Sequence, residues 1–189
     1  MTDVARLLER CRRGDDLAWE TLVRRYQSRV YAVAYHYVRE ADEARDVAQE
    51  IFVRVYQKLD SFDHSSNFLA WLMRLARNAC IDRLRRRAAR PPASDLPIGE
   101  SIEVESTEPD PEEHARRESE RRLLHRALAG MSEANREMIL LREIQGLKLE
   151  EIASMLGLPL GTVKSRSSRA RIELASRVRA IVPAFGASS

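Results

Sequence analysis

Lys164, Arg166, Arg169 and Arg171 crowd one short stretch, and a helix would carry them beside Ser165 and Ser168. Cations at that density neutralise phosphates, and arginine adds bidentate bonds to the major-groove edge of guanine. The residues before them, G-L-K-L-E-E-I-A-S-M-L-G-L-P-L-G-T, carry what is needed to aim them. Leu149, Ile152, Ala153 and Leu156 recur at helical spacing and give a short helix one apolar face. Gly157 supplies the positive φ that ends it, and Pro159 cannot continue it. Thr162 is expected to cap a second helix through its hydroxyl. Two short helices joined by a glycine-containing turn, the second one basic, describe a helix-turn-helix whose second helix enters the major groove. The plainer alternative is a helical hairpin with a solvated basic face.

Arg83, Arg85, Arg86, Arg87 and Arg90 form a second cluster, at the end of F-L-A-W-L-M-R-L-A-R-N-A-C-I-D-R-L-R-R-R. Only Asp82 is local as a counter-charge, so phosphate neutralisation is the direct reading, with steep salt dependence as its signature. A third group lies on the polar face of D-E-A-R-D-V-A-Q-E: Asp46, Gln49 and Glu50, with Arg54 beyond. Asp42 and Glu43 suit the dipole of a first helical turn. Asp46 and Glu50 lie further in, where an acidic face would dock a basic partner. Catalysis finds no such support. His36, His64, His114 and His125 have no metal-ligand spacing with one another or with Cys11 and Cys80, which read as small buried or half-buried thiols. With no phosphate loop and no nucleophile–base pairing, neither an enzyme, a metal nor a cofactor is expected.

The elements that must position these groups are helical. Apolar residues make up 44% of the 189 and charged residues 32%, and clear period-2 strands are absent, which reads as all-α. The net charge of +3 conceals its distribution. Residues 1–90 hold 18 basic and 13 acidic side chains, 91–113 hold eight acids and no base, and 114–189 hold 14 bases and eight acids. Two basic blocks around an acidic one point to two nucleic-acid-facing modules and a connector that does not bind DNA. The connector, rich in proline and acid, is expected to be an extended, poorly ordered linker. It is either a passive spacer or a polyanion lying where nucleic acid would otherwise run. Neither a signal peptide nor an 18-residue apolar run is seen, so a soluble cytoplasmic protein without membrane insertion is expected.

In order, a short helix from Asp3 closes at Gly14, and Asp15 or Asp16 caps a helix over 17–38. Its stripe is Leu22, Val23, Tyr26, Val30, Val33, Ala34 and Tyr37, and the aromatics Trp19, Tyr26, Tyr31, Tyr35 and Tyr37 follow the same period as packing residues. Asp42 opens a third helix with Ala44, Val47, Ala48, Ile51, Phe52, Val55 and Leu59 inward. A loop over 60–67 leads to a cap at Ser66 or Asn67 and a fourth helix with Phe68, Leu72, Leu75, Ala76 and Ala79 inward. Arg74, Arg77 and Asn78 sit beside that face, and Trp71 is either core or a surface on which an unpaired base stacks. Beyond the connector, a helix over 111–129 places Leu123, Leu124, Ala127 and Leu128 inward. After Gly130, Ser132 starts another, with Met138, Ile139, Leu141 and Ile144 inward, and Gly146 turns into the helix-turn-helix. The last helix continues through Leu174 and Val178, and the chain frays from Pro183.

Three motifs together resemble the extracytoplasmic-function (ECF) sigma factors of bacterial RNA polymerase: D-V-A-Q-E-I-F at 46–52, F-x-x-W-L-x-R-x-A-R-N-x-x-x-D at 68–82 and G-L-K-L-E-E-I-A-S-M-L-G-L-P-L-G-T-V-K-S-R at 146–166. The resemblance covers nearly the whole chain outside the connector. It implies two small helical domains, sigma domain 2 over 1–90 and a helix-turn-helix sigma domain 4 over 114–182, joined by the acidic flexible linker 91–113 and followed by a tail, 183–189. Asp46, Gln49, Glu50 and Arg54 would dock on the clamp helices of the largest subunit of the polymerase core. Phe62, His64, Ser65, Ser66 and Asn67 of the loop, with Trp71, Arg74, Arg77, Asn78, Arg83 and Arg86, would capture the melted −10 element. One base would flip into a pocket beside Asn78, a mode that takes the base out of its stack. Arg142, Thr162, Lys164, Ser165, Arg166, Ser168 and Arg169 would meet the duplex −35 element. The resemblance also implies a stress or envelope-response regulon and admits an anti-sigma factor as a further partner. The chain departs from the family pattern where D-H-S-S-N replaces a loop that usually holds glycine, and where Ser167 and Ser168 replace residues more often apolar or aromatic. Two other classes remain distinct: an operator-binding regulator using the C-terminal module alone, which would need a dimer seam, and a nucleic-acid enzyme.

Overall fold

Helix boundaries follow the turn chemistry of the chain. The computed structural model describes residues 3–63, 65–89 and 111–182, without the side chains of 111–115, 117 and 118. His64, Arg90, most of the expected connector and the tail from Pro183 lie outside the described residues. The described residues hold helices and no strand, in two units, one within Met1–Val104 and one within Glu105–Ser189.

In the first unit, α1 (Asp3–Arg12) gives way to Gly14 at φ 79, a left-handed conformation that glycine adopts without steric cost. Asp15 caps α2 (Asp16–Val38), its carboxylate accepting the Ala18 N–H at 3.0 Å and the Arg10 guanidinium at 2.8 Å. The Ala18 bond and then Arg10 hold the Asp15 carboxyl below its ordinary pKa. α3 (Ala41–Lys58) opens earlier than its sequence indicates. Glu40, extended at φ −126, caps the helix by reaching the free N–H groups of Asp42 and Glu43 at 2.8 and 2.6 Å, and Asp42 and Glu43 lie in the first turn as expected. A 3₁₀ turn (Leu59–Ser61) follows, and Asn67 caps α4 (Phe68–Ala88) by accepting the Leu69 N–H at 3.0 Å.

α2 packs against α1, α3 and α4, and the core gathers Leu22, Val30, Val33, Val47, Ile51, Val55, Leu72 and Ala76. Phe52, Tyr37 and Leu75 are only half-buried, while Met73 and Cys80 go fully inside. The inward face of α4 keeps Phe68, Leu72, Ala76 and Ala79 and is wider than expected, because α4 packs on α2 and α3 together. Both cysteines are free and buried, and burial pushes the Cys80 thiol up to about 12.

In the second unit, α5 (Pro111–Ala129) has the expected bounds, since proline suits the first helical position, and its first three residues overlap the acidic block 91–113. Ala127 is buried, but Leu124 is exposed. α6 (Glu133–Ile139) runs on as a π-helical turn (Leu140–Ile144), where the Gln145 N–H reaches back five residues to the Leu140 carbonyl. The wider turn shifts the register. Leu140, Leu141 and Gln145 go inside and Ile144, expected inward, is 45% exposed. Gly146 at φ 73 then lets the Leu147 N–H bond the Leu141 carbonyl, closing the helix in the Schellman manner.

α7 (Leu149–Leu156) buries Ile152 and Met155 and half-buries Leu149, Ala153 and Leu156. Gly157 ends it at φ 65 as its sequence requires. α8 (Leu160–Ile181) starts two residues before the expected cap. Pro159, with its ring-fixed φ of −58, occupies the cap position and its carbonyl accepts the Val163 N–H, so Thr162 lies inside the first turn and is not the cap. α8 packs against α5, α6 and α7.

Candidate nucleic-acid interface

The loop between α3 and α4 is held from three sides. Phe62 is 5% exposed, with its ring 5.5 Å from Phe68 and 5.2 Å from Trp71, and Tyr26 meets Phe68 edge-on at 5.3 Å. Phe62 is thus an anchor in the aromatic cluster, and the half-buried Trp71 packs on it. Arg12 of α1 donates through Nε and Nη2 to the Leu59 carbonyl at 3.1 and 2.7 Å, and through Nη2 to the Phe62 carbonyl at 2.7 Å. These bonds fix where the loop leaves α3. Asp63 organises its tip: the carboxylate accepts the Ser65 N–H at 2.9 Å and the Ser65 hydroxyl at 2.6 Å, and the Asp63 carbonyl accepts the Ser66 N–H at 2.9 Å. Ser65, Ser66 and Asn67 are exposed on this turn, and a cleft of about 370 Å³ lined by Val4, Leu8, Tyr26, Phe62, Asn67 and Phe68 lies beside it. Arg74 and Asn78 are exposed on α4 and Arg77 is half-buried.

The arginine cluster finds its counter-charges on α3. Glu43 accepts from Arg83 Nε at 3.1 Å and from Arg87 Nη1 at 3.2 Å. Glu50 pairs with Arg54 at 2.5 Å and with Arg86 at 3.6 Å, and Arg54 lies 3.7 Å from Asp82. Asp82 is the only local counter-charge in sequence, and the further ones, some forty positions away, are brought against the cluster by packing. Burial raises the Glu50 carboxyl, and the bonds and charges of Arg54 and Arg86 outweigh it, leaving the pKa below the ordinary value. The expected docking face accordingly divides. Asp46 and Gln49 are exposed, on a side of α3 that continues into exposed Val53 and Tyr56, while Glu50 and Arg54 turn toward α4.

In the second unit, Val163, Ser167 and Ala170 form the buried side of α8. Lys164, Ser165, Ser168 and Arg169 are exposed, and Arg166 and Thr162 are half-buried. Of the two departing serines, Ser167 therefore belongs to packing and Ser168 faces outward. Arg171 is tied to Glu143 at 2.7 Å, and Arg142 donates to the Leu147 carbonyl at 2.7 Å, bracing the turn before α7. Glu173 caps α6 from a distance, accepting from Asn135 Nδ2 at 2.6 Å and the Ser132 N–H at 3.1 Å, bonds that lower its pKa in that order. The long-range bonds of Arg12, Glu43 and Glu173, and the turn bonds of Asp63, are what sequence reasoning missed. Asp63 alone carries a local signal, an acid two residues before a loop serine. Among the described residues no cluster of His, Cys, Asp or Glu could hold a metal ion, and no helix is long and apolar enough to cross a membrane.

Residues 22–90 match the family described as Sigma-70 region 2, and residues 121–174 match Sigma-70, region 4. The ECF RNA polymerase sigma-E factor of Escherichia coli (strain K12) is 38% identical over 184 residues, covering 93% of this chain and 94% of that protein. The RNA polymerase sigma-H factor of Pseudomonas aeruginosa is 38% identical over 170 residues, covering 87% and 88%. Among solved structures, CnrH in complex with the cytosolic domain of CnrY is similar at a TM-score of 0.60 and 28% identity, covering 92% of this chain and 96% of that one. The sigma factor RpoE from Bartonella quintana, in complex with the anti-sigma factor NepR, shares the fold at a TM-score of 0.61 and 24% identity, covering 85% and 96%. Two basic helical units, matching region 2 and region 4 in that order, with relatives that span nearly the whole length, leave one conclusion: the chain belongs to the ECF sigma factors of RNA polymerase, regulatory subunits that join the core enzyme, recognise promoter DNA and start promoter-specific transcription.

Proposed function

We propose that the two units divide promoter recognition, residues 1–90 acting as sigma domain 2 and residues 114–182 as sigma domain 4, tethered by 91–113. The exposed Asp46 and Gln49 dock on the clamp helices of the core, and Glu50 and Arg54 shape that surface from its edge. Phe62 and Trp71 brace a loop whose Ser65, Ser66 and Asn67, with His64, receive a flipped base of the −10 element beside Asn78. Arg74, Arg77, Arg83 and Arg86 hold the phosphates of the melted strand. Lys164, Ser165, Arg166, Ser168 and Arg169 read the −35 duplex, with Thr162 and Arg142 on its backbone. The protein works in the cytoplasm without catalysis of its own, on a stress or envelope-response regulon. The complex of CnrH with the cytosolic domain of CnrY supports a protein partner for this chain too.

The observation that carries this reading is the segregation on α8: a small-residue side packed inward, and Lys164, Ser165, Ser168 and Arg169 together outside. Binding to core polymerase and run-off transcription test it. Asp46→Arg is expected to weaken core binding at least about tenfold with an unchanged melting temperature, as a rim charge reversal at a docking face should. Asp46 is a cleaner probe than Glu50, whose substitution also breaks the pairs with Arg54 and Arg86. A wild-type chain that does not bind core, or an Asp46→Arg chain that binds it normally, would overturn the assignment.

A further inference from the structure

We propose that Glu43 is a positioning residue of the promoter-DNA face, its carboxylate holding Arg83 and Arg87 side by side as a pair of phosphate clamps. The proposal rests on the reading that the α4 arginines meet DNA. Arg83 and Arg87 stand one helical turn apart, so their side chains share one side of α4. Each oxygen of Glu43 takes one of them, Oε1 from Arg83 Nε at 3.1 Å and Oε2 from Arg87 Nη1 at 3.2 Å. The Glu43 side chain is 17% exposed, while those of Arg83 and Arg87 are 40% and 59% exposed. The carboxylate is therefore enclosed and the guanidiniums remain reachable. A guanidinium has five N–H donors, and Glu43 engages one of each, so donors are left for phosphate.

Glu43 is itself fixed, its N–H bonded to the Glu40 carboxylate at 2.6 Å beside the buried Ala44. The helix dipole accounts for an acid in the first turn of α3, but not for its enclosure or its two partners across the interface. Its neighbour Asp42 shows the contrast, exposed and paired with Arg45 of the same helix. A long arginine loses much rotamer freedom when it closes on a phosphate, and a carboxylate that has already chosen the rotamer removes part of that loss. The same carboxylate subtracts one positive charge from the cluster. Glu43 thus exchanges indiscriminate attraction to DNA for fixed geometry.

That exchange gives two effects of opposite sign in the full-length Glu43→Gln chain. Free of polymerase, it should bind non-promoter duplex about threefold more tightly, with a steeper dependence on salt. Bound to core, it should open promoters about five- to tenfold more slowly, with unchanged core affinity, and the loss should vanish in an Arg83→Gln/Arg87→Gln background. Should Glu43→Gln lower the melting temperature, Glu43→Asp keeps the charge with a shorter reach. It should slow opening without tightening non-promoter binding. Opening at the wild-type rate by either folded variant, or an equal loss in the double-arginine background, would overturn the proposal. Normal opening by Arg83→Gln/Arg87→Gln at normal core affinity would instead overturn the reading of the arginines themselves, and with it the role of Glu43.

Discussion

The basic stretches of α4 and of the first half of α8 hold their cations differently. In the first, Arg83, Arg86 and Arg87 are paired with Glu43 and Glu50, while in the same unit Arg12 is spent on the carbonyls of Leu59 and Phe62. In the second, Lys164, Arg166 and Arg169 have no acidic partner among the described residues, and only Arg171 beside them is tied, to Glu143. The cores differ as well. Both tryptophans and all five tyrosines fall in the first unit, and the described part of the second has no aromatic ring of Phe, Tyr or Trp. The difference matches the two tasks proposed for the units. Holding an unpaired strand requires a surface whose shape is set beforehand, because the strand brings none. Duplex DNA arrives with its own regular groove, so side chains that reach it need freedom to adjust and full charge.

The comparison breaks first at the aromatic unit. Leu72→Ala removes a fully buried side chain beneath α4 and should cost about 2–5 kcal/mol, read as a lower urea midpoint by tryptophan fluorescence, which reports this unit through Trp19 and Trp71. A midpoint within error of wild type would mean that the core lies elsewhere. On the other unit, Arg166→Ala should weaken binding to a −35 duplex by about 1–3 kcal/mol if its guanidinium meets a base edge, and leave the melting temperature unchanged. Equal loss on every duplex sequence would move Arg166 from base to phosphate.

Smaller effects sharpen the contrast. Asn67→Ala removes the cap of α4 and should lower stability by about 1 kcal/mol. A promoter-opening defect larger than that would separate the loop's contact with DNA from its structural duty. Acid supplies the mildest probe. Asp15, Glu40 and Glu50 in the first unit, and Glu173 in the second, have folded pKa values below their ordinary ones. Their contribution is complete above the unfolded carboxylate range and is lost as pH falls through the folded values. The tryptophan-reported midpoint should therefore hold from pH 7 to about 5 and fall below about 4. A midpoint that stays level to pH 3 would show that the carboxylate bonds of the first unit, those of Asp15, Glu40 and Glu50, stabilise nothing.

Helices, turns and motif placement were legible in the chain because they rest on contacts three or four residues apart. Asp15, Asn67, Gly146 and Gly157 end or begin elements where their chemistry requires. The same local reasoning set the start of α3 one residue late and misplaced the cap of α8. It could not weigh a glutamate long enough to reach forward to the first N–H groups of α3, nor a proline that starts α8 before Thr162. It also set Ile144 inward, since periodicity assumes an α-helix and the chain takes a π turn.

Composition and periodicity determined an all-α protein with two basic modules, because charge and apolar spacing are properties of the chain itself. Tertiary structure alone decided which charges meet. Glu43 lies forty residues from Arg83, Arg12 forty-seven from Leu59 and Ser132 forty-one from Glu173. No spacing rule spans such distances. The packing of α4 on α3, α1 on the loop and α8 on α6 brings those groups within a hydrogen bond, and so determines which arginines are held and which stay open.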